Sequence, residues 1–175
     1  VDAMYGYKVT GLGDVNGDGY DDVAVSAPAA VDVIGATTIV GAGAVFVYFG
    51  SSAGLPVTPS RVLRSSTPVA NALFGFSVAA GNVTGDSKKD IIVGSPAESY
   101  TTSVSGLPAS ATVTAGKVYV FNGQTIAGAG PYTSASVFLN GSLYFSNGVL
   151  GVLASNVNTN ALFGFSVAAT EDMNN

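Results

Sequence analysis

The chain contains no histidine, no cysteine and no tryptophan, and it is short of charge. Only 10% of its 175 residues are Asp, Glu, Lys or Arg, against about 25% in ordinary soluble domains. Without His, the commonest general base near neutral pH is missing. Without Cys there is no thiol nucleophile, no disulfide and no Cys-based zinc site, and the redox compartment cannot be read from thiols. Six basic residues against eleven acidic ones give a net charge of −5. Arg61, Arg64, Lys88 and Lys89 form two pairs rather than a stripe, which excludes a nucleic-acid binder. From Val118 to Thr170 no side chain is charged, and mean hydropathy is +0.44. Such a surface is poorly protected against association. Much of the exterior is therefore expected to be covered by another chain, by glycans or by the rest of a larger protein. The uncharged run Val33 to Ser60 is long enough to span a membrane. Five Gly and two Pro interrupt it and its centre alternates like a strand, so the chain reads as not membrane-spanning. The opening Val1-Asp2-Ala3-Met4 lacks the basic and apolar regions of a signal peptide, as expected of a processed or internal segment.

What is present repeats. The decapeptide Asn71-Ala-Leu-Phe-Gly-Phe-Ser-Val-Ala-Ala80 recurs unchanged at Asn160 to Ala169, and Tyr5-Gly-Tyr-Lys-Val9 is a divergent third copy. Internal repetition of this kind marks a blade or solenoid architecture. Gly43-Ala-Val-Phe-Val-Tyr48 is matched by Gly116-Lys-Val-Tyr-Val-Phe121. These short β-branched and aromatic runs bounded by Gly are strand signals, and no segment carries the capped apolar stripe of a helix. The chain therefore reads as all-β, in antiparallel four-stranded blades. Residues 1–73 form a first unit, 74–162 a second with longer loops, and 163–175 the start of a third. Expected strands are Tyr7–Gly11, Asp22–Ser26, Ala44–Tyr48 and Arg61–Arg64 in the first unit. The second has Phe76–Ala80, Asp90–Gly94, Lys117–Phe121 and either Ser136–Leu139 or Val149–Ala154.

Seven of the nine aspartates fall in the repeat loops. In the first, Asp14-x-Asn16-x-Asp18-Gly19-Tyr20-x-Asp22 sets side-chain oxygens at loop positions 1, 3, 5 and 9, with Gly at 6 for the sharp bend and the Tyr20 carbonyl for position 7. A hard cation such as Ca²⁺ takes 6–8 oxygen ligands, and carboxylates this close repel one another without one. An EF-hand needs a Glu at position 12 and flanking helices; position 12 here is Val25, inside a strand pattern, so the loop closes a β-hairpin. The alternative is a metal-free Asp/Asn/Gly turn, which the spacing disfavours. The second loop offers Asn82, Thr84, Asp86, Lys88 and Asp90, and here the metal and plain-turn readings both stand. The third supplies only Asp172 and Asn174. Asn82-Val-Thr84 and Asn140-Gly-Ser142 are N-glycosylation sequons, the first in conflict with ligation by Asn82. Lys88-Lys89 reads as a solvated hairpin tip. Tyr48, Phe49, Phe121, Tyr144 and Phe145 read as strand aromatics of the core, with a sugar-stacking platform as the alternative.

On these residues the sequence resembles the FG-GAP repeats of the integrin α-subunit β-propeller. Phe74-Gly75 with Gly94-Ser95-Pro96, and more loosely Tyr5-Gly6 with Ser26-Ala27-Pro28, carry the resemblance. So does the loop Asp14 to Asp22. The resemblance implies four-stranded blades, calcium between the first two strands, an extracellular or cell-surface location, and adhesion or ligand binding. The insertions Ala97–Ala115 and Asn122–Asn160 and the altered second loop depart from the pattern. Propellers close with roughly 4–8 blades, so two blades and a start imply further blades of a longer chain or association with copies of itself. Three functions follow as expectations. The first is a calcium-stabilised, non-catalytic module binding an extracellular protein or glycan. The second is a structural subunit of an extracellular filament or surface layer, and the third is the propeller part of a larger secreted enzyme. Ser26, Ser77 and Ser95 read as packing or hydrogen-bonding residues, not nucleophiles.

Overall fold

The computed structural model of the chain describes residues 2–84, 86, 88–102, 111–128, 132–133, 137–140, 143–146, 149–152 and 162–169. The first unit runs through β1 (Val9–Gly13), β2 (Asp22–Ala27), a small hairpin of β3 (Asp32–Ile34) and β4 (Thr37–Ile39), then β5 (Ala44–Tyr48) and β6 (Arg61–Leu63). The second runs through β7 (Ser77–Gly81), β8 (Asp90–Ser95), a hairpin of β9 (Ser99–Thr102) and β10 (Ala111–Thr114), and β11 (Lys117–Phe121). A six-residue helix α1 (Gly123–Gly128) follows, then β12 (Tyr132–Thr133), β13 (Val137–Asn140), β14 (Leu143–Ser146) and β15 (Val149–Val152). Antiparallel pairing gives the orders β1-β2-β5-β6 and β7-β8-β11-β13, so each unit is a four-stranded blade. Of the two alternatives for the fourth strand of the second blade, Val137–Asn140 pairs with β11, while Val149–Val152 forms a hairpin with β14. One strand crosses between units: β12 adds to the edge of the first blade, parallel to β6.

The first strand of each blade starts one or two residues later than the sequence pattern implies, and a turn explains the delay. Tyr7 N–H donates to the Met4 carbonyl, Phe76 to Leu73 and Phe165 to Leu162. Met4, Leu73 and Leu162 each adopt φ of 54° to 59°, and the glycine of each aromatic-Gly pair lies at 86° to 91°. This geometry suits glycine and strains leucine, so three copies of one strained turn open the three repeats.

Apolar periodicity of two explains how the blades pack. Val45 and Val47 join Leu12, Val15, Ala24 and Leu63 from the first blade against Phe74, Val78, Ile91, Val93, Tyr119 and Phe121 from the second, in one core. The alternate residues Ile92, Val118 and Val120 face the other way and are covered by Phe163 and Val167 of the third repeat. The second blade is thus a filling between neighbours, and its central strands β8 and β11 are buried throughout. That two-sided burial is why those strands read as near-continuous apolar runs. Main-chain bonds reinforce the stacking: Phe74 N–H donates to the Ala42 carbonyl at 3.2 Å and Phe163 N–H to Ala115 at 2.8 Å. Tyr7, Phe76 and Phe165, one ring per repeat, form a continuous row with centroids 5.1 and 4.8 Å apart.

A polar group is buried at the same junction. Glu98 Oε1 accepts from Lys117 Nζ at 3.0 Å, Tyr119 OH at 2.5 Å and Ser65 Oγ at 3.2 Å. Ser65 belongs to the first blade unit and the other three to the second. Burial, reinforced by the Glu98 charge, pushes the Tyr119 hydroxyl well above its usual range.

Candidate metal centre

The first acidic loop joins β1 to β2 across the top of a hairpin, beside a register shift between Gly11 and Gly13. Bulges of this kind re-aim the chain next to functional sites. The loop wraps on Asp14. Its Oδ1 accepts from the N–H groups of Gly17 at 2.6 Å and Asp18 at 3.0 Å, and its Oδ2 from Gly19 at 2.8 Å. Gly19 takes φ of 91°, the bend the spacing requires. Asn16 Oδ1 accepts from Asp18 N–H at 2.9 Å, Asn16 Nδ2 donates to Asp18 Oδ2 at 2.8 Å, and Asp18 Oδ1 accepts from Tyr20 N–H at 3.0 Å. Asp14, Asn16 and Asp18 are thereby drawn together on one turn. Desolvation works against ionisation of Asp14. The N–H groups of Gly19, Gly17 and Asp18 and the Lys88 charge outweigh it, holding the carboxyl below its usual value of 3.8.

Asp22, at the end of the same loop, is fully buried. Its Oδ2 accepts from Val15 N–H at 3.0 Å and its Oδ1 from Gly50 N–H at 2.9 Å. Burial raises its pKa despite these bonds, and the Asp18 charge adds to the effect. Asp90 makes the equivalent hydrogen bonds in the second blade: Oδ2 accepts from Val83 and Thr84 N–H at 2.9 and 2.8 Å, and Oδ1 from Gly123 N–H at 3.2 Å. Each aspartate clamps its loop to the residue two past the third strand. Only glycine fits at that residue, because a Cβ at Gly50 would strike the Asp21 carbonyl and one at Gly123 the Lys89 carbonyl. Gly50 and Gly123 were missed in the sequence, though the repeat extends to them: Tyr48-Phe49-Gly50 parallels Phe121-Asn122-Gly123.

The second loop closes on itself through side chains. Asp86 accepts from Lys88 N–H at 2.8 Å, from Asn122 Nδ2 at 2.8 Å and from Thr84 Oγ1 at 3.3 Å. Asn82 Nδ2 donates to the Asp86 carbonyl, and Thr84 Oγ1 also reaches Asp90 at 3.0 Å. Lys88 and Lys89 are not a solvated tip. Both are partly buried, and Lys88 Nζ leaves its own loop to donate to the Asn16 carbonyl of the first at 2.7 Å. The sequence could not show this, because the contact joins residues in different blades. Asn140 ends β13 opposite Lys117; the rest of its sequon, with Asp172 and Asn174, lies outside the described residues. Phe121 is core, and Phe49 packs against that core with the Arg61 guanidinium 5.2 Å from its ring centre. Tyr48 OH pairs with Tyr5 OH at 2.5 Å, while the Tyr144 and Phe145 side chains are outside the description.

The three repeat serines are tied down by hydrogen bonds. Ser26, Ser77 and Ser95 are buried. Ser26 Oγ accepts from Lys8 N–H, and Ser77 and Ser95 donate to the Gly164 and Ala72 carbonyls, all within 3.0 Å.

The FG-GAP repeat model matches residues 5–48 and 74–121, together more than half of the chain. The chain belongs to the FG-GAP repeat family. Each matched FG-GAP segment runs from the aromatic-Gly pair to the end of the third strand, with its acidic loop inside. Similar curated proteins are mouse integrin alpha-7, 41% identical over 98 residues, and human integrin alpha-6, 40% over 102 residues. Drosophila integrin alpha-PS5 is 35% identical over 99 residues. These matches cover 54% to 57% of this chain but only 7% to 9% of the relatives, so the chain spans less than a tenth of their length. No helix among the described residues is long and apolar enough to cross a membrane.

The FG-GAP family implies a divalent cation, and the first loop has the donor chemistry for one: Asp14, Asn16, Asp18 and Asp22 with the Tyr20 carbonyl, all oxygen, as a hard cation requires. Among the described residues no three acidic side chains form a cage by themselves, so Asn16 and main-chain oxygen are needed to complete the set. The second loop offers two carboxylates, Asp86 and Asp90, against three in the first, Asp14, Asp18 and Asp22.

Proposed function

We propose that this chain is a calcium-stabilised FG-GAP blade pair of an extracellular, adhesion-type β-propeller, non-catalytic, that binds a protein or glycan partner at the cell surface. The integrin alpha relatives support the adhesion class and the location. The buried, bonded serines and the absence of His and Cys support a role without catalysis. The observation that carries the calcium reading is the turn on Asp14, which accepts three successive N–H groups and brings the Asn16 and Asp18 side chains within 2.8 Å of each other. A bound calcium ion would supply the charge that neutralises the clustered carboxylates of the first hairpin. Asp14, Asn16, Asp18 and Asp22 would hold it, together with the Tyr20 carbonyl. The second loop serves as a metal-free hydrogen-bonded turn. The test is thermal melting with calcium and with chelator. The parent chain melts higher in calcium, and Asp18→Ala loses that difference; an unchanged calcium shift in the variant places the cation elsewhere.

A second reading, assembly through blade faces, is favoured by one observation. Phe74 is fully buried where it docks on the preceding blade, whereas Tyr5, its counterpart, is 56% exposed, with Tyr7 and Val9 exposed beside it. That face suits another blade, from the same protein or from a second copy.

A further inference from the structure

Lys88 springs from the second loop but serves the first. Its own N–H is fixed by Asp86 Oδ1 at 2.8 Å, so the side chain leaves from an anchored base. The ammonium donates to the Asn16 carbonyl at 2.7 Å. Asn16 is the middle of the three side chains gathered on the Asp14 turn, so a fixed positive charge sits against the backbone of the candidate ligand set. The first loop is shaped to admit it. Gly17 lies at φ of 79°, and a Cβ there would fall 2.8 Å from Lys88 Nζ. Gly13 makes the same room for the neighbouring lysine, with a Cβ 3.0 Å from Lys89 Nζ. Any other residue at position 17 would be strained and would also displace the ammonium. A lysine side chain carries three donors and no acceptor, so the ammonium itself ligates no metal and acts on its surroundings only as a charge and a donor.

We infer that Lys88 is a tethered cation that sets the divalent-metal affinity of the first loop from the neighbouring blade. This rests on the calcium reading above. In the metal-free loop the ammonium counters the clustered carboxylates and holds the two blades together at that end. When a divalent cation enters, the two positive charges repel, so the loop binds metal more weakly than its donor set alone would. The same contact lets each loop influence the other, because whatever moves Lys88 changes the charge at the first site.

Calcium titration by calorimetry on the full 175-residue chain, stripped with chelator, tests this. Lys88→Met is expected to bind calcium about three- to tenfold more tightly than the parent, the size of a screened charge repulsion near a surface. Lys88→Arg keeps the charge and is expected to match the parent. The gap between parent and Lys88→Met should close as potassium chloride approaches about 1 M, where the screening length shrinks to about 3 Å; a purely structural role would leave it open. Without calcium, Lys88→Met should melt lower than the parent and show a larger calcium shift. Where the Met variant does not fold, Lys88→Gln, which keeps a donor for the Asn16 carbonyl without the charge, takes its place. Calcium binding by the parent with equal or weaker affinity in the variant overturns the inference and leaves the calcium reading intact. Binding by the variant alone supports the inference, and binding by neither overturns the calcium reading and the inference with it.

Discussion

Asp22 and Asp90 occupy equivalent places in the two blades, and exchanging each for asparagine separates a structural duty from a metal-binding one. Each carboxylate is fully buried and accepts main-chain N–H groups on both oxygens. Asparagine preserves the shape but offers one acceptor oxygen, and its NH₂ must face one of those N–H groups. A hydrogen bond to a charged group contributes about 1.5–3 kcal/mol, and a buried N–H left without a partner costs about 1–3 kcal/mol. Relief of the desolvation that raises the Asp22 pKa offsets part of this, leaving an expected loss of about 2–3 kcal/mol at either site. For a chain of this size that is a fall in melting temperature of roughly 5–10 °C. In chelator, thermal and urea unfolding should show similar losses for Asp22→Asn and Asp90→Asn. In calcium, Asp22→Asn should fall further behind the parent while Asp90→Asn keeps its distance, because only the first loop is read as a metal site. If either variant melts within about 1 °C of the parent in chelator, the clamp reasoning is wrong. If calcium widens both gaps equally, the assignment of metal to the first loop alone is wrong.

Three further outcomes follow from the packing. Lys117→Met strands the Glu98 carboxylate in the blade junction and should cost about 3–5 kcal/mol, while the double variant Glu98→Leu with Lys117→Met recovers much of that; a double-mutant cycle by urea denaturation checks the coupling. Gly75→Ala forces a Cβ at φ of 91° to within 2.9 Å of Val45 Cγ2, and should cost more than about 1 kcal/mol, read as a lower urea midpoint with unchanged slope. Asp14, whose pKa is lowered in the fold, contributes stability that is present above its usual value of 3.8 and lost as pH falls toward the lower folded value. In chelator, Asp14→Asn should therefore flatten the acid end of the stability profile, measured by urea midpoints at successive pH values.

Much of the architecture was legible because the repeat is local. The aromatic-Gly pair, the strand Ala44–Tyr48 with its counterpart Lys117–Phe121, and the hairpin position of the acidic loop all follow from patterns a few residues long. What could not be read is what joins distant residues. The Lys88 ammonium reaches a carbonyl 72 residues away. The parallel addition of β12 to β6 crosses from one unit to the other. The clamp on Gly50 and Gly123 depends on how near the third strand's end comes to the preceding loop. The strand starts were displaced for a different reason: the residue before each aromatic-Gly pair takes a left-handed conformation that leucine and methionine do not advertise. The helix α1 is too short for a periodic signal. It exists where the Asn122 carbonyl accepts from Thr125 and Ile126 N–H and Ile126 fills the shared core.

Beside the side-chain core, one part of the junction between repeats is main-chain: Phe74 N–H on the Ala42 carbonyl, Phe163 N–H on Ala115, and Gly43 and Gly116 lying directly under Phe74 and Phe163. Peptide groups and glycines carry no side-chain identity, so that part of the seam is generic, and the motif alone sets how the start of one unit meets the unit before it. Such a seam tolerates gene duplication and shuffling of units, and it leaves the connecting hairpins free to diverge in length without disturbing the join.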